Sequence, residues 1–408
     1  MDNVSDPVST FFLRNGFQPA ATRALCLDYA RVRYGDVHEV GSQGYCSYTV
    51  AGDDTIVQFR LENHRINPPV QNFARRIFFG LAPEVHFLGV VSAPPANPAD
   101  PEGRLYAYSM RRIPGVSLAE LRSTGRTLSG RSRRRLVEDF AHFLCYAWIR
   151  YNEAANAVMR YLVRERVGKS LRWRLEMMHE KLPQRFRPAV EDVLAHLHEI
   201  EALPWVLTHG DVVPGNIMVE PPRENTALES RANAIESFGG PLPGSFRGLL
   251  DWAEAEFLPF GVAISSVEEL FGESSLPCDS TGPYPPRESR FEYYPEAGEL
   301  RRLLWRELEA GIPELAEGPF RATVERARMM GILLWHGIAF DDGRLDRVVQ
   351  EGTDDEEIQR LDAFLTGSSE PGAVFDAYRG SDDRATLELV QSAKELSLED
   401  RPPEAILT

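Results

Sequence analysis

A chain of 408 residues, 43% apolar and 26% charged, has the composition of a water-soluble globular protein and length for roughly two to three domain-sized units. Its 45 lysines and arginines face 61 aspartates and glutamates, a net charge of −16. That balance argues against a nucleic-acid groove, where affinity rests on Lys and Arg neutralising phosphates, and it suits a cationic partner without requiring one. Cys26, Cys46, Cys145 and Cys278 lack metal-ligand spacing and read as reduced thiols. Met1–Asp6 has no basic segment followed by an apolar run, and Met329–Trp335 is far shorter than a membrane span. A cytoplasmic chain without nucleic-acid or membrane partners is expected.

In chain order, Thr22–Arg33 repeats apolar residues at helical spacing and reads as part of an N-terminal helical extension over residues 1–40. Gly41, Ser42, Gln43 and Gly44 form a glycine turn that leads into a strand ending at Val50. Ala51–Asp54 is a hairpin turn, and Thr55–Arg60 is the partner strand. A helix is expected over roughly 69–79. A proline-dense loop spans 92–103, and Arg104–Met110 is a strand leaving through the turn Arg111–Gly115. Beyond it helical periods dominate. Ser129 is a candidate N-cap for a helix to about Tyr151, whose aromatic row reads as core. Further helices are expected over 171–181 and 188–203, with His196 and His198 at the surface. Residues 221–245, rich in Glu, Asn, Ser, Gly and Pro, read as an exposed insertion between two strands. After an irregular stretch over 275–296, helices are expected over 299–310, 320–338, 354–365 and 383–396.

The chemistry is concentrated in Leu207–Glu220. His209-Gly210-Asp211 forms a polar knot, Pro214-Gly215 turns the chain, Asn216 follows, and Ile217–Val219 is a short strand. A second apolar run, Phe246–Leu250, ends at Asp251-Trp252. One carboxylate to take a hydroxyl proton, with an Asn five residues on and a carboxylate at a later strand end, is what phosphoryl transfer requires. In this order the motifs resemble the aminoglycoside phosphotransferase and choline kinase-like branch of the protein-kinase-like fold. The resemblance spans roughly residues 40–365.

The resemblance implies a two-lobed α/β (α+β) protein: a nucleotide-binding lobe with a small antiparallel sheet at 41–114, a helical lobe at 115–366, and a helical tail at 367–408. It implies transfer of the γ-phosphoryl group of ATP or GTP to a hydroxyl of a small molecule, a hydroxylated or cationic one. Asp211 would be the catalytic base. Asn216 and Asp251 would hold Mg²⁺, and His209 would keep the loop in shape. Gly41, Ser42, Gln43, Gly44 and Arg60 would contact the phosphates, and Met110 and Arg112 would mark the hinge at the nucleobase. Trp252, Glu254, Trp335, His336, Phe340 and Asp341 are the candidates for the acceptor pocket. The sequence departs from the family pattern at two points. Arg60 stands where the family has lysine, with Glu62 and Glu84 as candidate partners of poor reach, and the helix after it carries Gln71, Asn72, Arg75 and Arg76 but no carboxylate. These departures keep two rivals open: a non-catalytic kinase-like binding protein, or the same fold running other acid–base chemistry.

Overall fold

The computed structural model describes residues 6–41, 43–151, 167–222, 241–274, 290–341 and 344–366. Ser42, the expected helix over 383–396 and the tail lie outside them. Two helices, α1 (Pro7–Arg14) and α2 (Pro19–Tyr34), begin at prolines, which fit the first helical turn because its N–H groups have no intrahelical partner. They bury Phe11, Phe12, Cys26 and Ala30 against Tyr48, Val57, Phe59 and Leu105 of a five-stranded antiparallel sheet. The strands are β1 (His38–Glu39), β2 (Ser47–Ala51), β3 (Thr55–Arg60), β4 (Val85–Ala93) and β5 (Gly103–Arg111), in the spatial order β1-β2-β3-β5-β4. This is the small sheet lobe expected from the sequence. The nine-residue β4 was not recognised there, because Gly89, at φ 132°, sits at a bulge that breaks the alternation of side chains.

Helix α3 (Pro68–Ile77) docks the sheet lobe on the rest of the molecule. Its face of Val70, Phe73, Ala74 and Ile77 joins the large core, while Asn72 bonds both backbone groups of Val85 at 3.0 Å. That core is helical. After α4 (Leu118–Ser123), helix α5 (Gly130–Ile149) starts at Ser129, whose hydroxyl accepts the Ser132 N–H at 3.2 Å, and its aromatic row is buried as expected. The helix expected over 188–203 is two, Arg187–Ala195 and Leu197–Glu201, because His196 leaves helical geometry at φ −109°, ψ 12°. Helices Ala297–Gly311, Gly318–His336 and Asp355–Leu361 complete the lobe. Within the stretch expected to be irregular, Phe291–Tyr293 is a strand paired with Gly272–Ser274.

Two small sheets position the site. In one, β7 (Trp205–Thr208) pairs antiparallel with β10 (Glu256–Pro259), placing Thr208 opposite Glu256. In the other, β6 (Val116–Ser117), β8 (Ile217–Val219) and β9 (Phe246–Leu249) lie in that order, with Ile217 opposite Leu249. The loop after β7 and the loop after β9 are therefore held side by side.

The ends of the 221–245 insertion are paired, as its flanking strands require, but its last residues are not a free loop. Arg135 donates to the Pro243 carbonyl at 2.7 Å. A Cβ on Gly244, at φ +83°, would lie 2.4 Å from the Ser132 carbonyl oxygen. Replacing 223–240 with a short Gly-Ser linker is expected to shift the melting temperature by no more than a few degrees. Extending the deletion through 241–245 removes these contacts with α5 and should cost about 2 kcal/mol or more. Thermal denaturation of the two deletion variants separates the cases.

Candidate active site

The knot after β7 is built by His209. It is 3% exposed, and its Nδ1 accepts the Asp211 backbone N–H at 3.1 Å. With Nδ1 an acceptor, the proton sits on Nε2, which donates to the Leu250 carbonyl at 2.7 Å. Burial lowers the imidazole to about 4, so it is neutral at pH 7. His209 thus ties the backbone of Asp211 to the residue before Asp251. Its ring meets the edge of Trp252 at 4.6 Å, and Trp252 is itself 1% exposed, packs on Phe78 and donates to the Leu249 carbonyl. Trp252 is therefore a core residue under the loop. Its proposed place in the acceptor pocket is corrected on that ground.

Gly210 is the other fixed point. At φ +79° it turns the chain so tightly that a Cβ would lie 2.2 Å from the Glu254 carbonyl oxygen. Gly210→Ala is expected to cost about 3 kcal/mol or more through left-handed strain and this clash, measurable as a drop in thermal stability.

Asn216 Nδ2 donates to both the backbone carbonyl and the Oδ2 of Asp211, 2.9 Å each, closing the five-residue turn. Asp251 sits at φ 54°, ψ 71°, a left-handed conformation that Asp tolerates better than most residues. Arg60, 3% exposed at the end of β3, reaches across the cleft. Its Nη2 lies 3.1 and 3.2 Å from the two Asp251 oxygens, its Nε bonds Gln58 at 2.9 Å, and its Nη1 bonds the His64 carbonyl. Neither Glu62 nor Glu84 is its partner, in keeping with their poor reach, because the guanidinium turns inward to Asp251.

Arg60, His209, Asp211, Asp251, Glu254, Trp335, His336 and Phe340 all line one cavity of about 470 Å³ that opens between the lobes and runs into the helical lobe. Other proposed contacts lie elsewhere. Gln43 is locked by its own side chain, which donates to the Val40 and Thr49 carbonyls and accepts the Thr49 N–H. It, Gly41 and Gly44 are not among the cavity residues. Met110 is 8% exposed between Ile56 and Val85 in the middle of the sheet, and the Arg112 N–H donates to the Asp54 carbonyl at 2.9 Å. Neither is among the cavity residues. Asp341 is held at the surface by Arg347, at 2.7 and 2.9 Å, and is outside the cavity. His336 is paired with Glu357 at 2.6 Å.

Glu256 is a further carboxylate of the cavity. It is 4% exposed, accepts the N–H groups of Val167 and Gly168, and is pushed up to about 7 by burial. Its place opposite Thr208 in β10 follows from strand pairing, which no local motif reveals. Burial, and then the neighbouring Asp251, also push Asp211 up to about 7. For an acid raised in the folded state, the sign is unfavourable. Below the usual carboxylate range both states are protonated and nothing is lost, whereas above about 7 the full cost of ionising the buried group is present. The ligand-free protein should therefore lose stability from about pH 4 to 7. Asp211→Asn should flatten that slope in thermal melts taken across the range.

Among the described residues no cluster of three His, Cys, Asp or Glu forms a metal cage. Magnesium in phosphoryl transfer is held by one or two carboxylates together with substrate phosphates, and the oxygen donors of Asp251 and Asn216 fit that chemistry.

Residues 65–228 match the model of the phosphotransferase enzyme family, APH. That stretch, less than half of the chain, is similar to the family. The matched stretch contains His209, Asp211 and Asn216; it begins after Arg60 and ends before Asp251. Among solved structures, the chain is similar to the GDP complex of aminoglycoside 2'-phosphotransferase-IIIa (12% identity, 85% of this chain and 98% of that one, TM-score 0.46). It is also similar to a choline/ethanolamine kinase family protein from Mesorhizobium loti (15% identity, 84% and 95%, TM-score 0.44) and to choline kinase from Streptococcus pneumoniae (10% identity, 85% and 98%, TM-score 0.39). No curated protein matches the chain.

Proposed function

We propose that this small-molecule phosphotransferase uses Mg²⁺ and ATP, or GTP, to phosphorylate a hydroxyl of its acceptor. The observation that carries it is the meeting of Asp211 and Asp251 in one cavity, with Asn216 bonded to Asp211. The acceptor oxygen bonds to the γ-phosphorus, the bond from that phosphorus to the β-phosphate oxygen breaks, and the hydroxyl proton passes to Asp211. A base near 7 is well matched to that task. Asp251 and Asn216 would hold Mg²⁺, which neutralises charge on the phosphates. His209 keeps Asp211 and Asp251 in register and moves no proton.

Arg60 would then exchange Asp251 for phosphate oxygens, a partner its planar guanidinium suits as well as a carboxylate. The Arg60–Asp251 pair also favours the second reading, a non-catalytic binding protein, because it occupies the carboxylate that the metal needs. Thermal shift with Mg²⁺–ATP, Mg²⁺–GTP, nucleotide alone and Mg²⁺ alone tests the proposal. A rise of several degrees that requires both metal and nucleotide supports it, and no rise at millimolar concentration removes it.

A further inference from the structure

We propose that the acceptor is a neutral alcohol with an apolar, aromatic-sized body, a reading that rests on the phosphotransferase assignment of the same cavity. The cavity of about 470 Å³ reaches from Arg60 and Asp251 into the helical lobe, and beyond Asp211 it is walled by Val262, Leu334, Ile338 and Phe364, with Trp335 and Phe340 half-exposed at its rim. The whole cavity falls in the range of drug-sized ligand sites, and the acceptor takes its apolar part.

The carboxylates along this wall are already matched within the protein. Glu256 accepts two backbone N–H groups at 3.1 and 3.2 Å, Glu269 pairs with Arg360 at 3.1 Å, and Glu357 pairs with His336 at 2.6 Å. At the reacting end Asp251 holds Arg60, and Glu254 lies beside Gly210 rather than along the apolar wall. A cationic acceptor would have to leave water for a wall whose charges are compensated. Stacking on the rim aromatics, which are partly solvated, returns only a small part of that desolvation cost. An uncharged apolar body meets no such cost, and each methylene removed from water favours binding by roughly three- to fourfold. Transfer then converts the alcohol and a nucleoside triphosphate to a phosphomonoester and the diphosphate, with the hydroxyl proton passing to Asp211.

Calorimetric titration of the full chain with 2-phenylethanol, 3-phenylpropan-1-ol and 4-phenylbutan-1-ol, beside choline and 3-aminopropan-1-ol, tests this, each with and without Mg²⁺–ATP. The expected result is affinity rising roughly threefold per methylene along the phenyl series. It should exceed that for either cation and fall at least fivefold in Trp335→Ala and Phe340→Ala, with melts confirming that both variants fold. Tighter binding of the cations, no dependence on chain length, or affinity unchanged in both variants overturns the inference. Mg²⁺–ATP binding without phenylalkanol binding also overturns it and leaves the phosphotransferase reading standing. Phenylalkanol binding that follows the series and falls in the variants, with no nucleotide binding, supports the pocket assignment and removes that reading instead.

Discussion

Replacing Asp211 with Asn is expected to lower phosphoryl transfer by roughly two to four orders of magnitude, the usual worth of a positioned general base. Nucleotide affinity should change little. Asn keeps the size of the side chain, and its oxygen can still accept from the Asn216 amide that now bonds Oδ2 at 2.9 Å. What it removes is the proton acceptor. In the wild type, transfer should rise with pH along a limb near 7, shifted lower once Mg²⁺ lies beside the carboxylate. Turnover and Mg²⁺–ATP affinity, measured side by side on the wild type and the variant, check the split between rate and binding.

The second large effect falls on stability as well as binding. Asp251→Asn removes the counter-charge of Arg60, a guanidinium 3% exposed, while its remaining bonds to Gln58 and His64 stay in place. Breaking a buried ion pair from one side costs about 3–5 kcal/mol, and the cost here belongs at the low end because Asp251 is 36% exposed. Chemical denaturation of the ligand-free variant should show a loss of about 3 kcal/mol. Mg²⁺–ATP affinity should fall with it. Loss of binding with no loss of stability would mean that the Arg60 pair contributes little in solution.

The recognition of this site from sequence rested on spacing within single loops. His209, Gly210, Asp211 and Asn216 form one turn, so their proximity follows from covalent geometry, and Asp251 was legible because it ends an apolar run. The β-rich residues up to Val50, the turn Ala51–Asp54 and the run Thr55–Arg60 likewise announced the hairpin of the small sheet. Contacts across the fold were not legible. Arg60 meets Asp251 over 191 residues of chain, Glu256 is placed by a strand pair, and Trp252 is turned into the core by Phe78 and Phe143. Asp341 stood next to good pocket residues in sequence, yet a left-handed turn at φ 35° directs it to Arg347. The hinge at Met110 and Arg112 was placed by analogy with the family, and the pairing of Met110 with Val85 and of the Arg112 N–H with Asp54 was not legible in the sequence.

Calorimetric titration of Mg²⁺–ATP and Mg²⁺–GTP into the wild type and Asp251→Asn proteins bears most directly on whether the Asp211–Asp251 cavity is a nucleotide site. The account predicts saturable binding of at least one nucleotide to the wild type, dependent on Mg²⁺, and weakened at least tenfold in Asp251→Asn. Binding of equal strength in the two proteins, or no heat with either nucleotide at millimolar concentration, would contradict it.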